Sequence, residues 1–433
     1  MSMQTILWKI SNKAAQDKSH RFTGLYSLLN EHTLLWCFEQ LNKNAASGVD
    51  GVSYSDYKEN LEENVKALTD RLRRKGYKAR FVKRKRIPKS GNKERILGIP
   101  QIEDKMLQYG ASKILEAIYE QDFMFYSYGY RPRHNAGDAL DYLRTSIQKG
   151  NYGWIVDTDI KGFFDNISHD WVVRMLSERV NDKAFIRLIQ KWMKAGILEE
   201  DGQVIHPNTG CPQGGVISPV ISNIYLHYAL DLWFDRRVKS QCRGECLMVR
   251  YADDCVYAFR YKEDALYFYQ SLKDRLKKFS LELSEEKTKM LRFTRFQTVK
   301  GEAFTFLGFE FRWEIGKSGY PMVTTKTSRK KLYEGINKFR DWIKKNRHMK
   351  ISLLMKIICS KYRGYWNYYC RRGNFRSVEI YFYHTKRILL KWLNRRSQRK
   401  SYNWKGFYQL LKWFGVPKPC IIAKPEQMKL DLT

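Results

Sequence analysis

Three aspartates are the residues of this sequence best suited to chemistry. Asp159 ends an apolar stretch that begins at Trp154, and Asp253 and Asp254 stand side by side between two apolar stretches. Adjacent carboxylates repel each other, and burying them is costly unless cations neutralise them. Because carboxylate oxygens suit Mg²⁺, we expect the three to share two Mg²⁺ ions about 4 Å apart. Asp157, two residues before Asp159, is the weaker ligand candidate.

A site of this kind is suited to phosphoryl transfer. It activates an attacking hydroxyl and stabilises the phosphate oxygen that leaves. Mn²⁺ is an alternative ion for the same oxygen ligands.

Hydrophobic spacing predicts the elements that position these aspartates. Residues 154–160 are typical of a short buried strand, and residues 248–258 have the pattern of a β-hairpin. A helix is expected over 169–176, with Ser168 or Asn166 as its cap. The other expected elements are helices in residues 1–80 with a loop at 48–51, a basic β-hairpin over 79–99, helices over 101–120 and 265–279, a strand pair over 304–313 with a turn at 316–319, and helices throughout 321–400.

The charge of the chain indicates a polyanionic partner. The formal net charge is +34, and residues 321–400 contain 23 Lys and Arg against three acidic residues. A protein tolerates this self-repulsion best when it binds a polyanion, and here the charges interleave with aromatic residues, which favours nucleic acid over a mere aid to solubility.

The sequence gives no sign of a membrane or secreted protein. It has no apolar run of about 18 residues and no secretory leader. Its eight cysteines are scattered, and Cys242 and Cys246 have no second ligand pair at zinc-site spacing, so reduced thiols are expected. We therefore expect a soluble protein of the cytoplasm, in a bacterium the cytosol or nucleoid.

Several motifs resemble those of one enzyme family. Tyr251-Ala-Asp-Asp254 resembles the Y-x-D-D signature of reverse transcriptases. Asp159–Asp165 and Gly210–Pro219 resemble two further motifs of that family, and all three occur in the family order. More segments are similar to group II intron-encoded reverse transcriptases, or maturases, over about residues 30–420. The segments that carry the resemblance are Ile87–Lys89, Arg95–Pro100, Tyr126–Pro132, Asp159–Asp165, Gly210–Pro219, Ser284–Thr288, Phe306–Phe309 and Arg363–Tyr369.

This resemblance implies an α+β fold of the right-hand polymerase type. Fingers and palm would combine antiparallel sheet and helices, and a helical thumb, or maturase domain, would follow. The expected domains are an N-terminal extension with fingers over 1–105, the palm with the remaining fingers elements over 106–318, the thumb over 319–415 and a tail over 416–433.

The resemblance also assigns roles around the aspartates. Asp159, Asp253 and Asp254 would be catalytic metal ligands, with the main-chain carbonyl of Ile160 as a further ligand. Phe164 would exclude a ribose 2′-hydroxyl, although Phe163 or Phe164 must belong to the core. Residues expected to bind the nucleotide are Lys89, Arg95, Phe164, Gln213 and Lys287. Lys287 is the expected proton donor to pyrophosphate, with a plain surface lysine as the alternative.

Nucleic acid is expected to bind mainly at the basic segment after residue 320. The tyrosines there are individually more typical of a core than of base stacking. Phe306–Phe309 would grip the primer end, and Arg131 would support the template or the nucleotide pocket. The residues expected to bind nucleic acid are Arg131, Gly308, Arg363, Trp366, Arg371, Arg372, Arg395, Arg396 and Arg399.

The expected partners are group II intron RNA, an RNA template–DNA primer duplex, deoxynucleoside triphosphates and target DNA. The expected activities are synthesis of DNA on RNA, assistance to intron splicing, and intron mobility. About thirty residues follow Arg399, with one Cys and no His, so a zinc-type endonuclease is not expected. Two alternatives stay open: a splicing-only RNA-binding maturase, and a reverse transcriptase domesticated for phage defence.

Overall fold

The computed structural model describes residues 2–89, 93–199, 201–206, 208–296, 302–396 and 401–421, without the side chains of Lys89, Lys93 and Arg95. Its α-helices are α1 (Met3–Gln16), α2 (Glu31–Glu39), α3 (Tyr54–Glu59), α4 (Leu61–Arg73), α5 (Ile102–Tyr119), α6 (Ala136–Lys149), α7 (His169–Ser177), α8 (Lys183–Met193), α9 (Ser218–Leu226), α10 (Lys239–Gln241), α11 (Lys262–Lys278), α12 (Arg329–Asn346), α13 (Ile351–Tyr369), α14 (Phe375–Leu393) and α15 (Trp404–Trp413).

Consecutive strands pair mostly antiparallel, which together with the helices gives the expected α+β class. The strands are β1 (Val82–Lys89), β2 (Lys93–Ile99), β3 (Trp154–Thr158), β4 (Ile197–Leu198), β5 (Val204–Ile205), β6 (Cys246–Tyr251), β7 (Asp254–Phe259), β8 (Lys289–Arg292), β9 (Phe304–Phe306), β10 (Phe309–Ile315) and β11 (Pro321–Thr327).

The chain divides into two compact units. The first contains residues 1–139 and 155–290, and the second contains residues 140–154 and 291–433. The names fingers, palm and thumb, and the domain limits attached to them, stay a prediction.

The sheet that carries the aspartates has the strand order β6-β7-β3-β8. Strands β6 and β7 form the expected antiparallel hairpin, in which Val249 faces Val256. Both valines are fully buried, so hydrophobic burial holds the hairpin in place.

Helices of the first unit bury apolar residues at helical spacing. In α4, Val65, Leu68 and Leu72 recur at helical spacing and are all buried. Helix α7 begins after Ser168, whose hydroxyl accepts a hydrogen bond from the Trp171 main chain at 3.4 Å. This hydroxyl satisfies one main-chain donor of the first turn, and it confirms Ser168 rather than Asn166 as the cap.

The basic hairpin of β1 and β2 is confirmed and lies in a second sheet, with the order β2-β1-β4-β5. Its strands pair from Lys83 opposite Ile99 to Lys89 opposite Lys93. Strand β4 joins the hairpin in parallel, with Val82 opposite Ile197.

The second unit combines the sheet β11-β10-β9 with helices α12 to α15. The helical core contains Phe339, Leu354, Tyr362, Trp366 and Leu389 among its buried members. The expectation of helix from residue 321 is wrong for Pro321–Thr327, which is strand β11. Val323, Thr325 and Thr327 are buried while the residues between them are not. That period of two belongs to a strand.

Candidate active site

The two adjacent aspartates lie at the tip of the β6–β7 hairpin. Tyr251 pairs with Asp254, so Ala252 and Asp253 form the turn. Ala252 has a φ of 57°, a left-handed conformation that is uncommon for a residue with a Cβ. The turn therefore needs support from its surroundings.

Strand β3 places further carboxylates beside this tip. The Thr158 hydroxyl donates a hydrogen bond to the carbonyl oxygen of Cys255 at 3.3 Å. Burial, followed by the negative charges of Asp254 and Asp159, raises the pKa of Asp157 to about 7, although Lys289 opposes the change. The structure thus brings both Asp254 and Asp159 within electrostatic range of Asp157.

Asp159 is anchored by residues that follow α11. Its main-chain oxygen accepts a hydrogen bond from Ser284 at 2.8 Å, and Lys287 Nζ lies 2.6 Å from its Oδ2. The next residue, Ile160, is buried and forms a β-bridge with Leu283. The segment around Lys287, which resembled a family motif, therefore lies against the first catalytic candidate.

The carboxylates of the aspartates suit a divalent cation, but they are not arranged around a common point. Among the described residues, no group of three or more His, Cys, Asp or Glu side chains has an arrangement that could hold a metal ion. Burial and then the nearby charges of Asp254 and Asp159 raise the pKa of Asp157, and a bound cation would offset both effects. The Asp159 carboxylate points to Lys287 instead. The shared site of Asp159, Asp253 and Asp254 stays a prediction.

The loop that contains Gln213 lies beside Phe164. The Cys211 main chain donates a hydrogen bond to the Phe164 carbonyl oxygen at 2.8 Å. Phe163 is buried and Phe164 half-buried, with ring centroids 5.4 Å apart. Phe163 is thus the core member of the pair, and Phe164 keeps a partly accessible ring.

The same loop is attached to the basic hairpin. Gly98 donates a main-chain hydrogen bond to the Gln213 carbonyl oxygen at 2.6 Å. Gly214 has a φ of 106°, and a Cβ there would lie 2.7 Å from the Gly98 oxygen. A glycine is required because the two main chains approach so closely. The side chains of Lys89 and Arg95, on the same hairpin, lie outside the described residues.

Arg131 is placed in the interior. It pairs with Glu120 at 3.0 Å and donates hydrogen bonds to the carbonyl oxygens of Met124 and Ser127 at 2.8 and 2.6 Å. Its guanidinium holds its own loop, and its role in supporting the template or the nucleotide pocket stays a prediction.

In the second unit, the loop of Gly308 packs against the end of α13. The Tyr368 hydroxyl donates to the Leu307 carbonyl oxygen at 2.9 Å, and Gly308 has a φ of 82°. Trp366, expected to bind nucleic acid, is buried in the helical core. Its indole donates to the Pro417 carbonyl oxygen at 3.0 Å, so this ring is structural.

The arginines of the second unit differ in exposure. Arg363, Arg372 and Arg395 are exposed. Arg371 pairs with Asp141 at 3.2 Å, and Arg396 donates to the Met349 carbonyl oxygen at 2.9 Å. Arg399 lies outside the described residues.

Two residues stand out only in the structure. Asp157 ranked behind Asp159 in the sequence, yet burial and neighbouring carboxylates raise its pKa to about 7. Arg250 lies within buried strand β6 and is itself fully buried. A charged residue in an otherwise apolar strand needs a buried partner. The position of Arg250 within such a strand was the signal available in the sequence.

The acidic tip of the β6–β7 hairpin thus lies beside acidic residues at the end of β3, and the Gln213 loop is linked to the basic hairpin. The sequence profile of the family "Reverse transcriptase (RNA-dependent DNA polymerase)" matches residues 87–311. The match covers just over half of the chain, so the chain belongs to the reverse transcriptase family. This membership confirms the right-hand polymerase fold class.

Individual relatives connect the chain with introns. It is 28% identical to the group II intron-encoded protein LtrA of Lactococcus lactis subsp. cremoris, over 87% of this chain and 75% of that protein. It is 31% identical to the putative COX1/OXI3 intron 2 protein of Saccharomyces cerevisiae, over 37% of this chain and 18% of that protein. The resemblance to group II intron reverse transcriptases and maturases is therefore confirmed.

A solved structure of telomerase from Candida albicans, in complex with a TWJ fragment of telomeric RNA, aligns with a TM-score of 0.44 and 12% identity. The alignment covers 84% of this chain and 66% of that chain.

Every helix in the described part of this chain is too short or too polar to cross a bilayer.

Proposed function

We propose that this chain copies intron RNA into DNA with two Mg²⁺ ions held by Asp159, Asp253 and Asp254, and that it also assists splicing and mobility of that intron. The supporting observation is that β3 lies beside β7, so that Asp254 and Asp159 act on Asp157, whose pKa is raised first by burial and then by these charges. When bound, two divalent ions activate the primer hydroxyl and stabilise the departing pyrophosphate oxygen.

The protein's own residues would hold and select the reactants. The half-buried Phe164 ring, on a main chain that the Cys211 hydrogen bond holds in place, would obstruct a ribose 2′-hydroxyl while accepting deoxyribose. Lys287, beside Asp159, is within reach of the same centre and would donate a proton to the leaving group. The Gln213 loop and the basic hairpin would enclose the incoming nucleotide.

The second unit would bind the nucleic acid by charge. Arg363, Arg372 and Arg395 are exposed, and forked guanidinium groups suit phosphate. Proteins recognise an A-like RNA–DNA duplex mainly through its sugar–phosphate backbone and its shape. Such binding would therefore depend on salt concentration more than on base sequence. Intron RNA, target DNA and the template–primer duplex are the proposed partners.

Primer extension tests the polymerase. Purified protein with an RNA template, a DNA primer, deoxynucleotides and Mg²⁺ should synthesise DNA. Asp253→Ala and Asp254→Ala should each lower the rate at least 10³-fold, since they remove metal ligands, while duplex affinity stays unchanged. Asp201→Ala, an exposed turn aspartate, is the matched control and should extend normally. Normal extension by the Asp253 or Asp254 variant would contradict the assignment.

A splicing-only maturase has one observation in its favour, the engagement of the Asp159 carboxylate by Lys287. A splicing assay with the cognate precursor RNA separates the two functions. The polymerase proposal expects Asp254→Ala to keep splicing assistance and lose extension. A wild-type protein that assists splicing but never extends a primer would establish the splicing-only function instead.

A further inference from the structure

A fully buried ion pair lies directly behind the catalytic turn. Arg250 of β6 and Asp231 are both 0% exposed. Arg250 Nε and Nη2 donate to the two carboxylate oxygens of Asp231 at 2.8 and 2.5 Å. This forked geometry fixes the plane of the guanidinium.

The remaining arm of the guanidinium reaches the turn itself. Arg250 Nη1 donates to the main-chain oxygen of Ala252 at 3.0 Å and to Asn223 Oδ1 at 3.0 Å. Ala252 is the turn residue with a φ of 57°, and Asp253 and Asp254 follow it. The hydrogen bond therefore stabilises an unfavourable main-chain conformation immediately before the two aspartates.

The helical segment that contains Asn223 and Asp231, the partners of Arg250, includes a π-helical turn. Asn223 belongs to α9, and Asp231 ends a π-helical segment at His227–Asp231. In a regular α-helix, residues eight apart point about 80° away from each other. The wider π turn reduces this angle, so that Asn223 and Asp231 both reach Arg250.

The loop before α6 holds the turn from a second side. Asn223 Nδ2 donates to the Gly129 carbonyl oxygen at 2.7 Å, and a Cβ on Gly129 would lie 2.2 Å from Ala252 N. Tyr128 donates a main-chain hydrogen bond to the Arg250 oxygen at 2.9 Å. The main chain at Ala252 is thus confined between this loop and the guanidinium.

We propose that Arg250, Asp231 and Asn223 form a positioning unit that fixes the main chain at Ala252 and thereby the directions of the Asp253 and Asp254 carboxylates. The inference rests on the proposed role of these aspartates as metal ligands. A buried ion pair adds little net stability compared with apolar residues of similar size, so we assign the pair beside the turn a positional role. Residues behind metal ligands commonly affect metal affinity in this way.

Three variants test the unit. Arg250→Lys keeps the positive charge but cannot reach Asp231, Asn223 and Ala252 together. The double variant Arg250→Met with Asp231→Leu removes both charges at once, so no buried charge is left unpaired. Arg179→Lys is the control, because Arg179 is buried, pairs with the partly buried Asp122 at 3.1 Å and contacts α1.

Four quantities are measured for each variant: thermal unfolding, template–primer affinity, Mn²⁺ affinity by electron paramagnetic resonance, and extension rate against Mg²⁺ concentration. We expect the double variant to unfold near the wild-type temperature and to bind duplex normally. Its ion affinity and extension rate should each fall at least tenfold. Arg250→Lys should change the same two quantities in the same direction, whereas Arg179→Lys should lower only the unfolding temperature.

Wild-type ion affinity and extension rate in the double variant would overturn the inference. If the double variant does not fold, Arg250→Lys decides on the same two quantities. A failure of the proposed polymerase function would give a different result. The wild-type protein would then not extend a primer, or Asp254→Ala would extend as well as wild type.

Discussion

Lys287 Nζ lies 2.6 Å from Asp159 Oδ2, although the two residues are 128 positions apart in the chain. The lysine side chain is more than half exposed, so the pair adds little to stability. Its position matters because a cation at Asp159 and the Lys287 ammonium would compete for the same carboxylate.

Lys287→Ala should therefore separate two effects. Loss of a positioned proton donor should lower the extension rate at saturating Mg²⁺ by about 10²-fold. Loss of the competing ammonium should lower the Mg²⁺ concentration needed for half-maximal extension. Single-nucleotide incorporation across a Mg²⁺ titration measures both. An unchanged maximal rate would identify Lys287 as a plain surface lysine.

Phe164→Ala should admit ribonucleotides. Removal of the half-buried ring takes away the obstacle to the 2′-hydroxyl, and a contact of this size corresponds to about 10- to 200-fold in discrimination. The ratio of kcat/KM for deoxynucleotide and ribonucleotide measures the effect. Phe163→Leu is the control, since Phe163 is buried; it should lose stability and keep its selectivity. Unchanged discrimination in Phe164→Ala would place the gate elsewhere.

Gly214→Ala should displace the Gln213 loop. Alanine at a positive φ costs about 1 kcal/mol, and its Cβ would also meet the Gly98 oxygen at 2.7 Å. We expect a raised KM for the incoming nucleotide. Gly202→Ala is the matched control, because Gly202 has a φ of 88° but no atom within 4 Å of the added Cβ. Equal kinetic effects of the two variants would show that strain alone, and not the contact with the hairpin, is responsible.

His227 should make folding sensitive to mild acid. Burial lowers its pKa to about 4; Asp231 opposes this, while Arg250, Arg236 and Arg131 reinforce it. The unfolded pKa is about 6.5, so the unfolded state binds more protons between these values. Stability that is fully present above pH 6.5 is then lost as the pH falls toward 4, by about 2–3 kcal/mol.

His227→Phe tests this pH dependence, since phenylalanine keeps the ring and removes the titration. Urea unfolding at pH 7.5 and pH 4.5 gives the loss of unfolding free energy on acidification. We expect this loss to be about 2–3 kcal/mol smaller in the variant than in the wild type. Equal losses in the two proteins would rule out His227 as the cause.

The sequence predicts local elements of this protein well, and distant contacts poorly. Two apolar runs on either side of Asp253 and Asp254 mark the β6–β7 hairpin, and Ser168 marks the start of α7. Strand order depends on long-range packing, so nothing local indicates that Lys287 meets Asp159. Homologous motifs indicated only that both residues belong near one centre.

Two further differences have clear physical reasons. Trp366 sits among basic residues in the sequence, yet Tyr362 stacks on it with ring centroids 5.3 Å apart and both are buried. Helical spacing of aromatic rings fits both a core and a binding surface, so sequence could not separate them. The π-helical winding before Asp231 also leaves no recognisable sequence pattern, because propensities do not distinguish it from an α-helix.

Counting bound ions tests the central claim most directly. Wild-type protein with a template–primer duplex that lacks a 3′-hydroxyl, and with a matching nucleotide, is titrated with Mn²⁺ and followed by electron paramagnetic resonance. The account predicts two tightly bound ions in the wild type and the loss of at least one in each of Asp159→Asn, Asp253→Asn and Asp254→Asn. The same number of ions, with the same affinity, in the wild type and all three variants would contradict it.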